Sequence, residues 1–343
     1  ERTGTEAASP ASDEASRLRQ SIESATYTPP AADEDSQSGS NGASDSDSED
    51  SASADRGGAV EGELEDAEAE PAMVRAQILL DRTRFSPGII DGLGGENTRQ
   101  AIAAFQEAND LEVTGELNAE VFDRLTSGDG GRVLTDYTIA EADVAGPFVG
   151  QVPDSMAAMG RMETVGYSDA REALAEKFHM SPDLLDALNP GVDFSRAGQS
   201  IVVAATGPDA LDGDVARIEV NKAEKSVRAF NADGDLLAFY PATIGSDETP
   251  SPSGTHTVRA VAPEPNYTYD PEQGGETVIV PPGPNNPVGA VWIDLSRDGY
   301  GIHGTPDPAL IGKTASSGCV RLTNWDAEQL AGAVEQGVEV AFV

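Results

Sequence analysis

Residues 300–324 read YGIHGTPDPALIGKTASSGCVRLTN. They hold Cys319, the one cysteine in the 343 residues, and His303, one of three histidines. A thiol attacks only as thiolate, so a catalytic cysteine needs a nearby base or positive charge. His303 can supply the base, and Arg321 lies two residues past the thiol. In an extended segment Cys319 and Arg321 share a face, because side chains alternate. Gly318 allows a sharp turn and a close backbone approach. Ser316, Ser317, Gly318 and Cys319 then read as a loop that aims backbone N–H groups at an oxyanion. Arg321 reads either as a clamp on a substrate carboxylate or as an arginine holding the loop. Gly304 and Ser316 join it as substrate-binding or structural positions. A lone cysteine is more often a small buried hydrophobe, but Gly, Ser and Arg are poor core neighbours.

The order I-H-G-T, P-x-x-I-G, S-x-G-C-V-R-L-x-N-x-D resembles the signature of the L,D-transpeptidase catalytic domain of bacterial cell-wall enzymes. Upstream, Pro250-Ser251-Pro252-Ser253-Gly254-Thr255 and residues 281–289, PPGPNNPVG, resemble two further segments of that family. The resemblance runs from about Val215 to Val343. Many members carry His directly before the Gly-Cys; here that position is Ser317, which leaves His303 as the only base in the motif. The resemblance implies acyl transfer on peptidoglycan stem peptides, with Cys319 as nucleophile and His303 as proton carrier. It implies carbapenem-type lactams as thiol traps and no cofactor. Two rivals stay open: an L,D-carboxypeptidase of the same fold, and a non-catalytic wall-binding protein.

Acidic residues number 60 against 22 Lys plus Arg, a formal charge of −38. Such a field repels nucleic acid and anionic membrane surfaces. One cysteine excludes an intramolecular disulfide, which is compatible with export. No apolar run is long enough to span a bilayer. The expectation is an exported protein of the periplasm or cell wall, with peptidoglycan stems and glycan strands as partners. A signal peptide or anchor could precede residue 1.

Further out, the chain divides into a multidomain protein. Residues 1–70 are Ser-, Asp-, Glu- and Gly-rich and read as a disordered acidic tether. Residues 71–128 read as a three-helix unit, with Asn97 as an N-cap and Ala101, Ile102 and Phe105 on one face. Asp91-Gly92, Gly95, Thr98 and Phe105-Gln106 resemble elements of a peptidoglycan-binding domain. Residues 135–206 resemble a LysM-like βααβ module, with helices at 170–178 and 182–188 and a strand at 200–204. A composition break near 207–213 reads as a linker, so the catalytic unit is expected to work without the rest.

Residues 212–343 contain strand-like runs at 216–220, 226–230, 236–240, 255–261, 290–295 and 338–342. Such spacing predicts a mainly β sandwich. Asn231-Ala232-Asp233-Gly234 reads as a hairpin turn, and Thr323 with Asp326 as the cap of a late helix. Residues 263–277 read as a lid. His179 and His256 read as structural or packing residues. Three scattered histidines and one cysteine offer no metal site.

Overall fold

A computed structural model describes residues 10–28, 69–128, 131–271 and 275–343. Helix α1 (Pro10–Ser24) opens the described chain, followed by α2 (Pro71–Arg82), α3 (Glu96–Ala108) and α4 (Ala119–Gly128). Strand β1 (Leu134–Thr138) precedes α5 (Met156–Met159), α6 (Ala170–Lys177), α7 (Pro182–Leu188) and β2 (Ser200–Ala204). β1 and β2 form an antiparallel pair around α6 and α7.

The reading of residues 1–70 as wholly disordered is corrected by α1. Its Ala15, Leu18 and Ile22 recur at helical spacing, and Ile22 is fully buried. Arg75 donates to the Glu23 carbonyl at 2.5 Å, and the Glu23 carboxylate accepts from the Val133 and Leu134 amides. One apolar stripe, docked on preformed neighbours, offsets the ordering entropy that the local composition cannot. Residues 1–9 and 29–68 of the expected tether lie outside the described residues.

The three-helix unit packs Ile78, Ile102, Phe105 and Phe122 in its centre. Its buried glutamines are latches. Gln106 Oε1 accepts from the Thr114 and Gly115 amides, while Gln77 Oε1 accepts from Asp91 and Gly92. The expected Asn97 cap is not formed. Gly95 occupies the cap position, and Asn97 Nδ2 donates instead to the Ile311 carbonyl at 2.9 Å. Residues of α1–α4, β1, β2, α6 and α7 share one continuous core.

The C-terminal unit runs β3 (Arg217–Asn221), β4 (Ser226–Phe230), β5 (Leu236–Pro241), β6 (Gly254–Pro263), β7 (Tyr267–Tyr269), β8 (Val278–Val280), β9 (Val291–Leu295), β10 (Gly301–His303), β11 (Val320–Arg321), α8 (Asn324–Ala331) and β12 (Glu339–Phe342). Eight strands make one mixed sheet in the order β11-β10-β9-β6-β12-β3-β4-β5. The expected sandwich of two sheets is therefore one curled sheet. The cause is β6: residues 254–257 pair with β12, the register shifts between Val258 and Ala260, and residues up to 263 pair with β9. A bulge bends the strand it occupies, so a single strand serves both halves. Ile218, Val227, Ile293, Ile302, Val320 and Leu330 of α8 meet in one core beneath the curl. The Asn231–Gly234 turn forms as read, with Asn231 Oδ1 accepting from the Asp233 and Asp235 amides. Thr323 Oγ1 caps α8 by accepting from the Asp326 amide.

The 207–213 segment is not a free linker. The Gly207 amide donates to Asp81 Oδ1 at 2.7 Å, and the Pro208 carbonyl accepts from Arg84 and Gln329. The outer edge of β5 is covered as well: the Phe239 amide donates to the Arg84 carbonyl, and its carbonyl accepts from the Ser86 amide. An uncovered edge strand invites association with other chains. A chain cut at 212 would lose that cover, so the composition break at 207–213 is a packed junction rather than a free linker.

Candidate active site

β10 and β11 lie side by side and parallel at one end of the sheet, with Ile302 opposite Val320 and His303 opposite Arg321. Ile302 and Val320 are fully buried in the core. Alternation then sends His303, Cys319 and Arg321 to the other face. Strand spacing and rise put the Cα atoms of His303 and Cys319 roughly 8 Å apart on the diagonal, a span that two inclined side chains bridge.

His303 is 3% exposed. Its Nδ1 donates to the Gly304 carbonyl at 2.7 Å, which leaves the lone pair on Nε2. Trp292 of β9 stacks on the imidazole, centroids 5.4 Å apart and planes at 19°. Gly301 makes this stack possible: a Cβ there would lie 2.5 Å from the indole ring. The sequence offered β9 only as a strand, and Trp292 gave no signal of its own.

Cys319 is half-buried, its Sγ 3.7 Å from the Gly299 carbonyl. Ser316 shapes the approach. Its Oγ donates to the Cys319 carbonyl at 2.5 Å and accepts from the Gly318 amide at 3.2 Å. Its carbonyl accepts from Thr249 Oγ1 and its amide donates to Ile244. Gly318 sits at φ 110°, and a Cβ there would meet the Tyr300 ring at 2.8 Å. The oxyanion reading of the 317–319 amides is narrowed accordingly, because the Gly318 N–H is engaged by Ser316. Ser317 is exposed. Ser316→Ala should slow Cys319 chemistry by about tenfold, since it releases both ends of the turn. Ser317→Ala should stay within about threefold, because alanine keeps the amide. Rates of covalent labelling of Cys319 in the two variants check this pair.

Arg321 is tied to Thr243 by backbone bonds of 2.8 and 2.9 Å. It lines a cavity of about 360 Å³ with Thr243, Thr305, Asp307 and Thr314. The opposite wall comes from before α6: Val152, Met156 and Met159. The 263–277 stretch is in part the β7–β8 hairpin, and 272–274 lie outside the described residues. Met159, Val165 and Val280 form a small core that binds the hairpin to the 150–166 segment. The sequence could not show that this segment walls the Arg321 cavity.

The other histidines are packing residues, as read. His256 meets Phe342 edge-on at 5.7 Å. His179 stacks on Trp325 at 4.9 Å, and its Nδ1 lies 2.7 Å from Asp81 Oδ2, a partner 98 residues away. Burial works against its charged form, but the charge and hydrogen bond of Asp81 prevail and raise its pKa. The same junction holds two buried acids. Burial pushes Glu176 up to about 8, against the hydrogen bonds from Asn324 and Tyr167. Burial pushes Asp326 up to about 7, against Thr323, the His179 charge and Ser86.

Groups whose folded pKa lies above the unfolded value stabilise the fold fully below the unfolded value, and that contribution fades as pH rises through the folded one. For the two acids the window runs from about pH 4 to the values above, and His179 acts in the same direction. The melting temperature should therefore fall as pH rises from about 4 to about 8, and Glu176→Gln should flatten the slope in a calorimetric series. Among the described residues no cluster of metal-ligating side chains occurs, and no helix is long and apolar enough to cross a membrane.

The family model of the L,D-transpeptidase catalytic domain matches residues 215–341, and that of a peptidoglycan binding domain matches residues 69–125. YkuD of Bacillus licheniformis, assigned as an L,D-transpeptidase, is 33% identical over 186 residues, covering 53% of this chain and 98% of that protein. YkuD of Bacillus subtilis, with the same assignment, is 31% identical over 179 residues, covering 52% of this chain and 96% of its own length. Among solved structures, L,D-transpeptidase 3 from Mycobacterium tuberculosis is 20% identical, with a TM-score of 0.32 over 42% of this chain and 65% of that one. With nearly the whole of two such relatives covered, and with the matched residues spanning His303 and Cys319, the chain belongs to the L,D-transpeptidase family.

Proposed function

We propose that this protein is a cysteine-dependent L,D-transpeptidase that cross-links peptidoglycan stem peptides. One observation carries the reading: β10 and β11 are parallel neighbours with His303 opposite Arg321, and Cys319 directly precedes β11, so strand alternation would turn all three side chains to one face. The Cys319 thiol gives its proton to His303 Nε2 and attacks the carbonyl of the third stem residue. The tetrahedral oxyanion faces the backbone of the 317–319 turn. The C–N bond then breaks, and the departing D-alanine takes the proton from His303, leaving a thioester. A second stem's amine attacks the thioester, passes its proton to His303 and releases Cys319. The donor stem lies in the Arg321 cavity, with its carboxylate towards the guanidinium and its aliphatic part against Val152, Met156 and Met159.

The unit at 69–125 would hold the glycan or stem while the cysteine works. The β1–α6–α7–β2 unit, read as LysM-like, would add sugar affinity. Peptidoglycan lies outside the cytoplasm, so the reaction would run in the periplasm or the wall. The test is incubation with purified disaccharide-tetrapeptide and mass spectrometry of the products. Cross-linked dimers with loss of one D-alanine support transfer. Tripeptide alone assigns an L,D-carboxypeptidase, and unchanged substrate leaves only wall binding.

A further inference from the structure

Among the contacts that residues before 205 make with the candidate site, one comes from a buried carboxyl group. Glu176 lies on α6 and is 7% exposed. Its carboxyl accepts from Asn324 Nδ2 at 3.0 and 3.4 Å, across 148 residues of sequence. Asn324 is the first residue of α8 and is itself 3% exposed. The same amide also donates to the Pro284 carbonyl at 3.2 Å, and its Oδ1 accepts from the Ala290 amide at 3.1 Å.

That Oδ1 lies directly against two glycines. A Cβ on Gly289 or on Gly304 would come within 2.2 Å of it. Gly304 is the residue whose carbonyl accepts the hydrogen bond from the His303 Nδ1–H. The path is therefore continuous: Glu176, the Asn324 amide, the Gly304 backbone, the imidazole. An amide flips freely unless both its ends are bound; here Glu176 and Pro284 hold the NH₂ end, so the oxygen stays turned to Ala290 and Gly304.

We propose that Glu176 is a positioning residue for the His303–Cys319 site, acting through Asn324 on the Gly304 carbonyl that orients His303. It touches no substrate. It makes the helical unit part of the catalytic apparatus rather than a separate wall anchor. The inference rests on the reading of His303 as the proton carrier. A loss of the Gly304 contact frees the ring to turn, and misplacement by about 1 Å costs on the order of 10–100-fold in rate. Besides Asn324, Glu176 is faced by Tyr167, Glu172 and Glu328, so its own ionisation adds to the pH profile.

The experiment uses the full chain. Turnover of disaccharide-tetrapeptide and the ¹⁵N signal of the His303 Nδ1–H are recorded for Glu176→Ala, Glu176→Gln, Asn324→Asp and His303→Ala. Glu176→Ala should lower kcat by about 10–100-fold with KM within about twofold, and the Nδ1–H signal should shift or broaden. Glu176→Gln should stay within about threefold, because its amide oxygen still accepts from Asn324. Asn324→Asp sets two carboxyl groups together and should be slow. The double variant Asn324→Asp with Glu176→Gln restores that donor–acceptor pair with the roles exchanged; the carboxylate still meets the Pro284 carbonyl, so it should regain part of the rate and run clearly faster than Asn324→Asp alone.

That rescue separates positioning from simple loss of folding, even if Glu176→Ala alone unfolds. A Glu176→Ala enzyme with wild-type kcat and an unmoved Nδ1–H signal overturns the proposal, and so does a double variant as slow as Asn324→Asp. If His303→Ala is as fast as wild type, the reading of the base fails instead. If His303→Ala is slow and Glu176→Ala is not, only the role of Glu176 fails.

Discussion

Cys319→Ala should form no covalent adduct with a carbapenem and turn over no tetrapeptide. Cys319 is the single thiol of the chain, so no second sulfur can substitute for it. Cys319 is half-buried, with its Sγ beside the Gly299 carbonyl. Removal of the nucleophile from a covalent mechanism costs on the order of 10⁶-fold in kcat where triads have been dissected. The fold should survive, because one sulfur is lost from a half-buried position and comparable changes cost about 1 kcal/mol. Intact-protein mass spectrometry after incubation with the lactam reads the result, and melting curves check folding. An adduct on the folded variant would place the nucleophile elsewhere and remove the basis of the reading.

His303→Ala should keep the thiol but slow its chemistry on the order of 10²–10⁴-fold, the usual worth of a positioned acid–base group. Three contacts fix the residue in place: Nδ1 on the Gly304 carbonyl, Trp292 on the ring face, and the His303 carbonyl accepting from the Leu322 amide. The last survives in alanine, so β10 should stay paired with β11. The residual rate should climb with pH, because bulk hydroxide then does the work of the imidazole. His303→Gln fills more of the space beneath Trp292 and guards against a collapsed site. Adduct mass against time gives the rate for each variant. Wild-type speed in both would end the Cys–His pairing and revive the non-catalytic reading.

Much of this protein was legible because its signals are local. The Asn231–Gly234 turn, the Thr323 cap and the helices at 71–128 each depend on residues within a few positions of one another. The HGT and SSGCVRL segments mark the candidate site for the same reason, since residue types suited to thiol chemistry stand close together there. The misses share the opposite character. An N-cap at Asn97 was a sound local reading, but the side chain went to Ile311 of another unit. A sandwich was a sound reading of strand spacing, but the bulge in β6 joined the halves into one sheet.

What the amino-acid order carried by itself was the family, the candidate nucleophile Cys319 with its candidate base His303, and the glycine turn beside the thiol. What the tertiary structure decided is which distant groups complete them. Trp292 reaches His303 only because β9 and β10 pair. Met156 reaches the Arg321 cavity only because the 150–166 segment docks on β8. His179 finds Asp81, and Glu176 finds Asn324, across 98 and 148 residues. Burial makes each of these pairings strong, since a polar group taken out of water must find its partner in the fold. Such partners are set by chain topology, and no local pattern of residues announces them.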